Sequence, residues 1–454
     1  MVFEKVVFVS RPVFPFAPRA LLAASFLALA ACAQSNLAAP PADPQPAPVV
    51  QAAPTPDPAP VESQAVASDI VRVGIMVPLS GSAAGVGRDL LDAAQLALFD
   101  FTPPLFELRV YDSGSSPVIA ASAAARARAD GVRILLGPLF SEAVTAAADV
   151  LRPHGIPVYA FSSDRLVSGN LVIGNGVYVA GFFPEAQIAR TVEFAVQRGM
   201  FRFASLVPDD SYGGRMSAVY SGVVQTAGGE VVASRFYPFD TEGMTATVRS
   251  LAQYDDRAAE LEKEKQRLAE NDDPISKRAL ERLETLDTLG DVGFEALMLP
   301  EGGQEILQLS PLLAFFDIDP VQVKLLGTWI WDDPALGKEP SMLGAWFAAP
   351  PREARLRFVD RFREIYGRAP DRLATLAYDG VALAAVLART IGPAGTPYAI
   401  ENLENPDGFA GIDGIFRLLP SGEVERGLSI LEIGRDGPLE IDPAPTSFEP
   451  PLTN

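Results

Sequence analysis

The sequence has little of what most enzymes use for chemistry. Its 454 residues include one cysteine, Cys32, and one histidine, His154. A serine, histidine and aspartate triad or a cysteine–histidine pair would therefore rest on a single imidazole. Cysteine and histidine zinc clusters are excluded for the same reason. His154 stands in "LRPHGIPV", between a helical pattern and a short apolar run, and reads as a loop residue. Basic charge is also scarce. The 37 Lys and Arg residues face 57 Asp and Glu, a formal charge of -20, which lacks the basic footprint that nucleic acid needs. No cofactor or metal motif is present. The glycines Gly81, Gly85 and Gly87 of "GSAAGVG" are spaced G-x₃-G-x-G, neither the dinucleotide nor the P-loop order, and no lysine follows. They read as a tight turn before a helix, with backbone N–H groups presented to a cleft.

Near its start the chain carries Lys5, Arg11 and Arg19, then an uncharged run from Ala20 to Ala31. That run suits the apolar region of a signal peptide and is short for a membrane span. It ends Leu29-Ala30-Ala31-Cys32, which resembles the bacterial lipobox. The resemblance implies cleavage of residues 1–31 and a diacylglycerol on Cys32, and there is no second cysteine to pair with it. Each buried CH₂ of such an anchor contributes ~0.8 kcal/mol. Ala33 follows, where Asp would resemble an inner-membrane retention signal, so the expected site is the outer membrane, facing the periplasm. Residues 32–68 are dominated by Pro and Ala and cannot bury a core. Extended at ~3.1 Å per residue they form a tether of roughly 110 Å.

From Asp69 the texture changes. "VRVGIMVPL" reads as a buried strand, and a small-residue loop leads into an amphipathic helix. Strand-like "LFELRVYD", "VRILLGPL" and "IPVYAF" alternate with helical "PVIAASAAARARADG" and "SEAVTAAADVLRPHG". A second series, from "EAQIARTVEFAVQRG" to "VKLLGTW", repeats the pattern. Such alternation predicts parallel sheets, here an α/β fold of two doubly wound, Rossmann-like lobes with a ligand cleft between them. Lobe 1 is expected over about 69–183 plus 350–405 and lobe 2 over about 184–349 plus 406–440, with a tail at 441–454. Tyr254 to Asp291 is highly charged but keeps helical apolar spacing, and Asp273-Pro274 supplies an N-cap and first helical residue. A helical hairpin insertion is expected over 254–291, with Lys277 and Glu281 paired on its face. Such a run is either a solvated face or a docking element.

"IMVPLSGSAAGVGRDLLDAAQLAL", the Gly-Pro strand end of "ILLGPLFSEAV" and "PDDSYGGRM" resemble the type 1 periplasmic solute-binding proteins of the leucine/isoleucine/valine group. The likeness spans about residues 70 to 440. It implies that Ser141 holds a ligand carboxylate and that Tyr212 lines the cleft. Ser162, Ser163 and Asp164 stand where the family has small residues and a Thr donor. An anionic Asp164 beside a carboxylate would repel it. The family's acidic partner for a ligand ammonium falls near "GTWIWDD", where Asp332 is the candidate. The charged insertion, "LPEGGQEILQLSPLLAFFDID" and the segment from "LLGTWIWDD" resemble the penicillin-binding protein activator lipoproteins, which share this fold and regulate peptidoglycan synthases. Two non-enzymatic readings follow. The first is an envelope lipoprotein whose partner is a penicillin-binding protein. The second is the capture subunit of an amino-acid or amide ABC importer, with an amino-acid-like ligand in the cleft.

Overall fold

The computed structural model describes residues 70–448 apart from Thr102, Ser115 and 164–174. The expected signal peptide over 1–31, Cys32, the expected tether over 32–68 and Asp164 lie outside the described residues. The first sheet holds β1 (Val71–Val77), β2 (Phe106–Asp112), β3 (Ile134–Leu136), β4 (Val158–Ala160) and β5 (Val177–Val179). All are parallel, in the order β2-β1-β3-β4-β5. Helices α1 (Ala84–Phe101), α2 (Pro117–Ala129) and α3 (Ser141–Leu151) connect the first four. On α2 the buried residues are Ala120, Ala123, Ala124 and Ala127, one helical stripe. They meet Ala143, Ala147 and Ala148 of α3, and methyl groups on both sides let the two helices lie close together.

The second lobe begins with α4 (Pro184–Gln197), β6 (Arg202–Pro208), α5 (Ser211–Thr226), β7 (Glu230–Tyr237) and α6 (Thr241–Leu251). Next come α7 (Tyr254–Ala269), α8 (Pro274–Leu283), β8 (Ala296–Met298), α9 (Gly303–Phe315), β9 (Lys324–Gly327) and β10 (Trp346–Ala349). The chain then returns to the first lobe with α10 (Arg352–Tyr366), α11 (Ala374–Ile391) and α12 (Ile400–Leu403). Phe358 and Phe362 of α10 pack on Ala93 and Leu96 of α1.

A small antiparallel sheet follows: β11 (Phe409–Gly411), β12 (Gly414–Leu418) and β13 (Val424–Arg426). Its Phe416, Leu418 and Val424 join the first core with Tyr159 and Phe161. The chain therefore enters the second lobe near Gly427, not at 406 as expected. There β14 (Ser429–Glu432) and β15 (Leu439–Asp442) complete a seven-stranded sheet, β15-β14-β10-β9-β8-β6-β7. The tail expected from 441 thus starts inside β15.

Strand ends and helix starts in the second lobe follow a repeated pattern, P-x-D-[ST]-x-G. It occurs at Pro208-Asp210-Ser211-Gly213 and again at Pro238-Asp240-Thr241-Gly243. Each aspartate is the N-cap of its helix and accepts from the glycine amide at 2.8 Å. The glycine is needed because its helix sits on the preceding proline: a Cβ on Gly213 would lie 2.0 Å from the Pro208 carbonyl oxygen. Gly87 of α1 makes the same close approach to Pro78, at 1.8 Å.

The charged insertion is a pair of helices, α7 and α8. Gln253, in the left-handed region at φ 50°, separates α7 from α6, so Leu251 belongs to the earlier helix. Asp273 caps α8 as expected, accepting from the amides of Ile275 and Ser276. Lys277 pairs with Asp272 rather than Glu281, and Ile275 is 81% exposed. Leu261 and Leu268 supply the buried seam. Arg257 anchors the base through the Gly290 carbonyl at 2.6 Å and Asp317 at 3.0 Å.

Candidate functional site at the two sheet rims

In the first lobe the candidate residues gather at the carboxyl ends of neighbouring strands. At the end of β2, Asp112 accepts from the amide of Leu79, just past β1, at 2.8 Å and from that of Gly114 at 2.7 Å. Burial pushes this carboxyl up, but the Ser80 hydroxyl and the surrounding amides outweigh it and hold the pKa below the usual value. After β3, Ser141 opens α3. The N-cap is Phe140, in extended backbone, and offers no side-chain oxygen to the first amides. A bare helix start with a hydroxyl beside it is a ready acceptor for a carboxylate. After β4, Ser162 is buried and Ser163 exposed. Because β3 and β4 are adjacent, the structure gathers Ser141, Ser162 and Ser163 on one rim.

Tyr212 stands apart from them on the rim of the second sheet, in the first turn of α5. Its hydroxyl donates to the Pro300 carbonyl at 2.9 Å, so it braces the rim. Burial, then the charges of Glu301 and Glu185, push its pKa up to about 12. Sequence reasoning missed Glu301, which follows β8. Burial, with Glu305 and Asp210 close by, pushes its carboxyl up to about 7. The Tyr237 hydroxyl is buried beside the same acids without a hydrogen-bond partner. The second rim is therefore acidic and under-satisfied, while the first combines hydroxyls and the bare start of α3 with the Asp112 carboxylate, which is already engaged by amides and the Ser80 hydroxyl. The only textual hint of Glu301 was "LMLPEGG", an acid directly after a strand, as Ser141 follows "LLGPLF".

Asp332 is not free to bind an ammonium. Arg352 approaches it at 3.0 Å and Arg355 also pairs with it, and its side chain is only 8% exposed. This ion pair joins the second lobe to α10 of the first. Nearby, Trp329 from the end of β9 packs on Phe182 at the first chain crossing, with ring centres 5.2 Å apart. Arg372 lies 4.3 Å over the Phe182 ring and is held by Asp413 at 2.8 Å. Trp329 touches both cores, so the two rims border one junction. Asp379 and Asp413 are buried there together. Burial and the charge of Asp413 raise the Asp379 pKa. Burial pushes Asp413 up too, but Arg372 and Arg426 prevail and keep it low. His154 lies far from this chemistry, exposed in a short turn with Nε2 2.9 Å from Arg128 Nη1. Among the described residues no group of His, Cys, Asp and Glu is arranged to hold a metal.

Two α/β lobes joined by several chain crossings, with polar groups gathered at the carboxyl ends of their strands, have the architecture of a class of binding protein. The periplasmic binding protein family profile matches residues 70–438, and the chain belongs to that family. An ABC transporter substrate-binding protein from Sphaerobacter thermophilus is 18% identical, covering 83% of this chain and 98% of that one, with a TM-score of 0.59. A branched-chain amino acid ABC transporter periplasmic ligand-binding protein from Burkholderia xenovorans LB400 is also 18% identical, covering 84% and 97%, at 0.60. A solute binding protein of an ABC transporter from Rhodopseudomonas palustris BisB5, in complex with 3,4-dihydroxybenzoic acid, is 18% identical, covering 83% and 97%, at 0.53. At these identities the likeness speaks for the fold. The comparison with curated proteins yields no match.

Proposed function

We propose that this protein captures a small amino-acid-like solute between its two rims and delivers it to an ABC importer. The observation that carries this reading is the contrast in rim chemistry. Ser141 and the uncapped start of α3 suit a carboxylate, and Glu301 with Asp210 suits an ammonium. One zwitterion satisfies both. Calorimetric titration of the full chain with the common L-amino acids tests it. At least one should bind saturably, and Ser141→Ala or Glu301→Gln should weaken that ligand about 10- to 100-fold, the range for losing a charged hydrogen bond. A folded protein that binds none of them would overturn the reading. Under this proposal Cys32 bears the lipid anchor, and Cys32→Ala should move the chain from the membrane to the soluble fraction.

A second reading, regulation of a penicillin-binding protein, rests on the helical pair α7 and α8, with its charged faces and exposed Ile275. Crosslinking from membranes separates the two. Recovery of a peptidoglycan synthase, lost on deletion of 254–291, favours regulation, whereas recovery of a permease favours capture.

A further inference from the structure

We propose that the small sheet β11–β13 is a clasp that gathers all three chain crossings on the first-lobe side and so confines movement between the lobes to three short pivots. These lie at Phe183–Pro184, at Pro350 and at Gly427–Leu428. The clasp acts in the same way whichever solute the rims take.

Each crossing is seized by this sheet. At the first, the Val179 amide donates to the Gly422 carbonyl at 2.8 Å, and Val179 bridges to Glu423. Arg426 Nη2 donates to the Ala180 carbonyl at 3.0 Å. At the second, Gly414 (φ 82°) lies so close to Pro351 that a Cβ would come within 3.0 Å of the proline ring. At the third, the Gly427 amide donates to the Ile415 carbonyl at 2.9 Å.

A step further along, each crossing is held by the other lobe. Phe183 keeps its ring in the first-lobe core but is the N-cap of α4, which starts at Pro184. Ala349 pairs with Ser429 in the second sheet, so Pro350 alone separates that pairing from Pro351. The Leu428 carbonyl accepts from Arg190 Nε of α4 at 3.1 Å. Hinge motion is absorbed by the few residues that neither side holds, and here each crossing leaves one or two.

Buried charge fixes the clasp to the first lobe. Asp379 of α11 accepts from the Ile412 amide at 2.7 Å. A Cβ on Gly411 would lie 2.5 Å from that carboxylate, so only glycine lets the hairpin approach. Asp413, in the turn between β11 and β12, holds Arg372 at 2.8 Å. Arg426 is the link between clasp and crossing. Its guanidinium faces the Phe182 and Phe416 rings, 5.5 and 5.2 Å from their centres. Asp379 stands 3.8 Å from its Nη1, and the side chain is 5% exposed. Arg426 is thus a positioning residue, set inside the protein. Arg352 and Arg355 do reach across to the second lobe, at Asp332 and the Pro438 carbonyl. They stand in the first turn of α10, beside the second pivot, where a small turn displaces them little.

Spin labels at exposed helix sites, Ser122→Cys in α2 and Gln225→Cys in α5, report the distance between the lobes in the full chain carrying Cys32→Ala. Arg426→Leu removes the tie to Ala180 and should broaden the distance distribution. Pro350→Gly frees the backbone at the second pivot and should broaden it too. Val192→Ala opens a cavity in the second-lobe core, and should lower the melting temperature while leaving the width unchanged. An unchanged distribution in Arg426→Leu overturns the clasp, as does equal broadening in Val192→Ala. No effect of Pro350→Gly overturns the placement of the second pivot. If Arg426→Leu does not fold, Arg426→Gln takes its place under the same criterion.

Discussion

The two lobes use the same strand-to-helix joint with opposite electrostatic results. In both, a proline ends the leading strand and a helix glycine packs against its carbonyl, Gly87 on Pro78 and Gly213 on Pro208. In the second lobe an aspartate then caps the helix, which satisfies its first amides and adds negative charge to the rim. In the first lobe α3 begins at Phe140 with no side-chain cap, so its amides stay available. The starts of α5 and α6 have answered their own helix dipoles, whereas the start of α3 has left that to a ligand.

The most damaging way to break this comparison is to attack what the lobes share. Gly213→Ala and Gly87→Ala should each destabilise the protein by roughly 3 kcal/mol or more, because the added methyl meets a backbone carbonyl that cannot swing away. Urea unfolding monitored by circular dichroism measures both. A marked inequality between them would show that the joint is not equivalent in the two lobes.

A sharper test makes the first rim resemble the second. Phe140→Asp places an acceptor at an N-cap that already has extended backbone, φ -86° and ψ 139°. It should stabilise the fold by about 1 kcal/mol. It should also weaken carboxylate capture at Ser141, since the site gains a like charge and loses free amides. Thermal denaturation and calorimetry on one sample would show stability and affinity moving in opposite directions.

The smallest effect concerns pH. Glu301 titrates near 7 in the folded protein against an ordinary 4.5. Between those values the native state holds a proton that the unfolded chain releases, so this group's contribution to stability falls as pH rises through the window. Ammonium binding needs the carboxylate charged, so affinity should climb about tenfold between pH 6 and 8. Glu301→Gln should flatten that profile.

Much of this was readable in the chain. The alternation over residues 71–160 is regular because β1, β3 and β4 are buried apolar runs, β2 is a half-buried edge strand, and each helix is amphipathic or alanine-rich. β10 was not readable. "WFAA" is four residues, wholly buried between β9 and β14, and carries no period. The return point near Gly427 was equally hidden, since β11 to β13 are short and declare their lobe through contacts with distant residues such as Tyr159 and Phe161. Ser141 could be named because "ILLGPLFSEAV" resembles a segment of the solute-binding family. Glu301 could not, because its significance comes from Asp210 and Glu305 arriving from elsewhere. Asp332 misled for the same reason: its partners, Arg352 and Arg355, are some twenty residues further along.

The chain crosses the junction near Phe182, again near Pro351 and last near Gly427. Neither lobe is therefore a continuous stretch of polypeptide. α1 waits for α11, almost three hundred residues later, to cover it, and β10 has an open flank until β14 arrives. Neither core can close before α11, β13 and β14 have been made. Folding thus waits for these late elements and proceeds through contacts of long sequence separation, which form slowly. A chain built this way remains threadable until β14 has emerged.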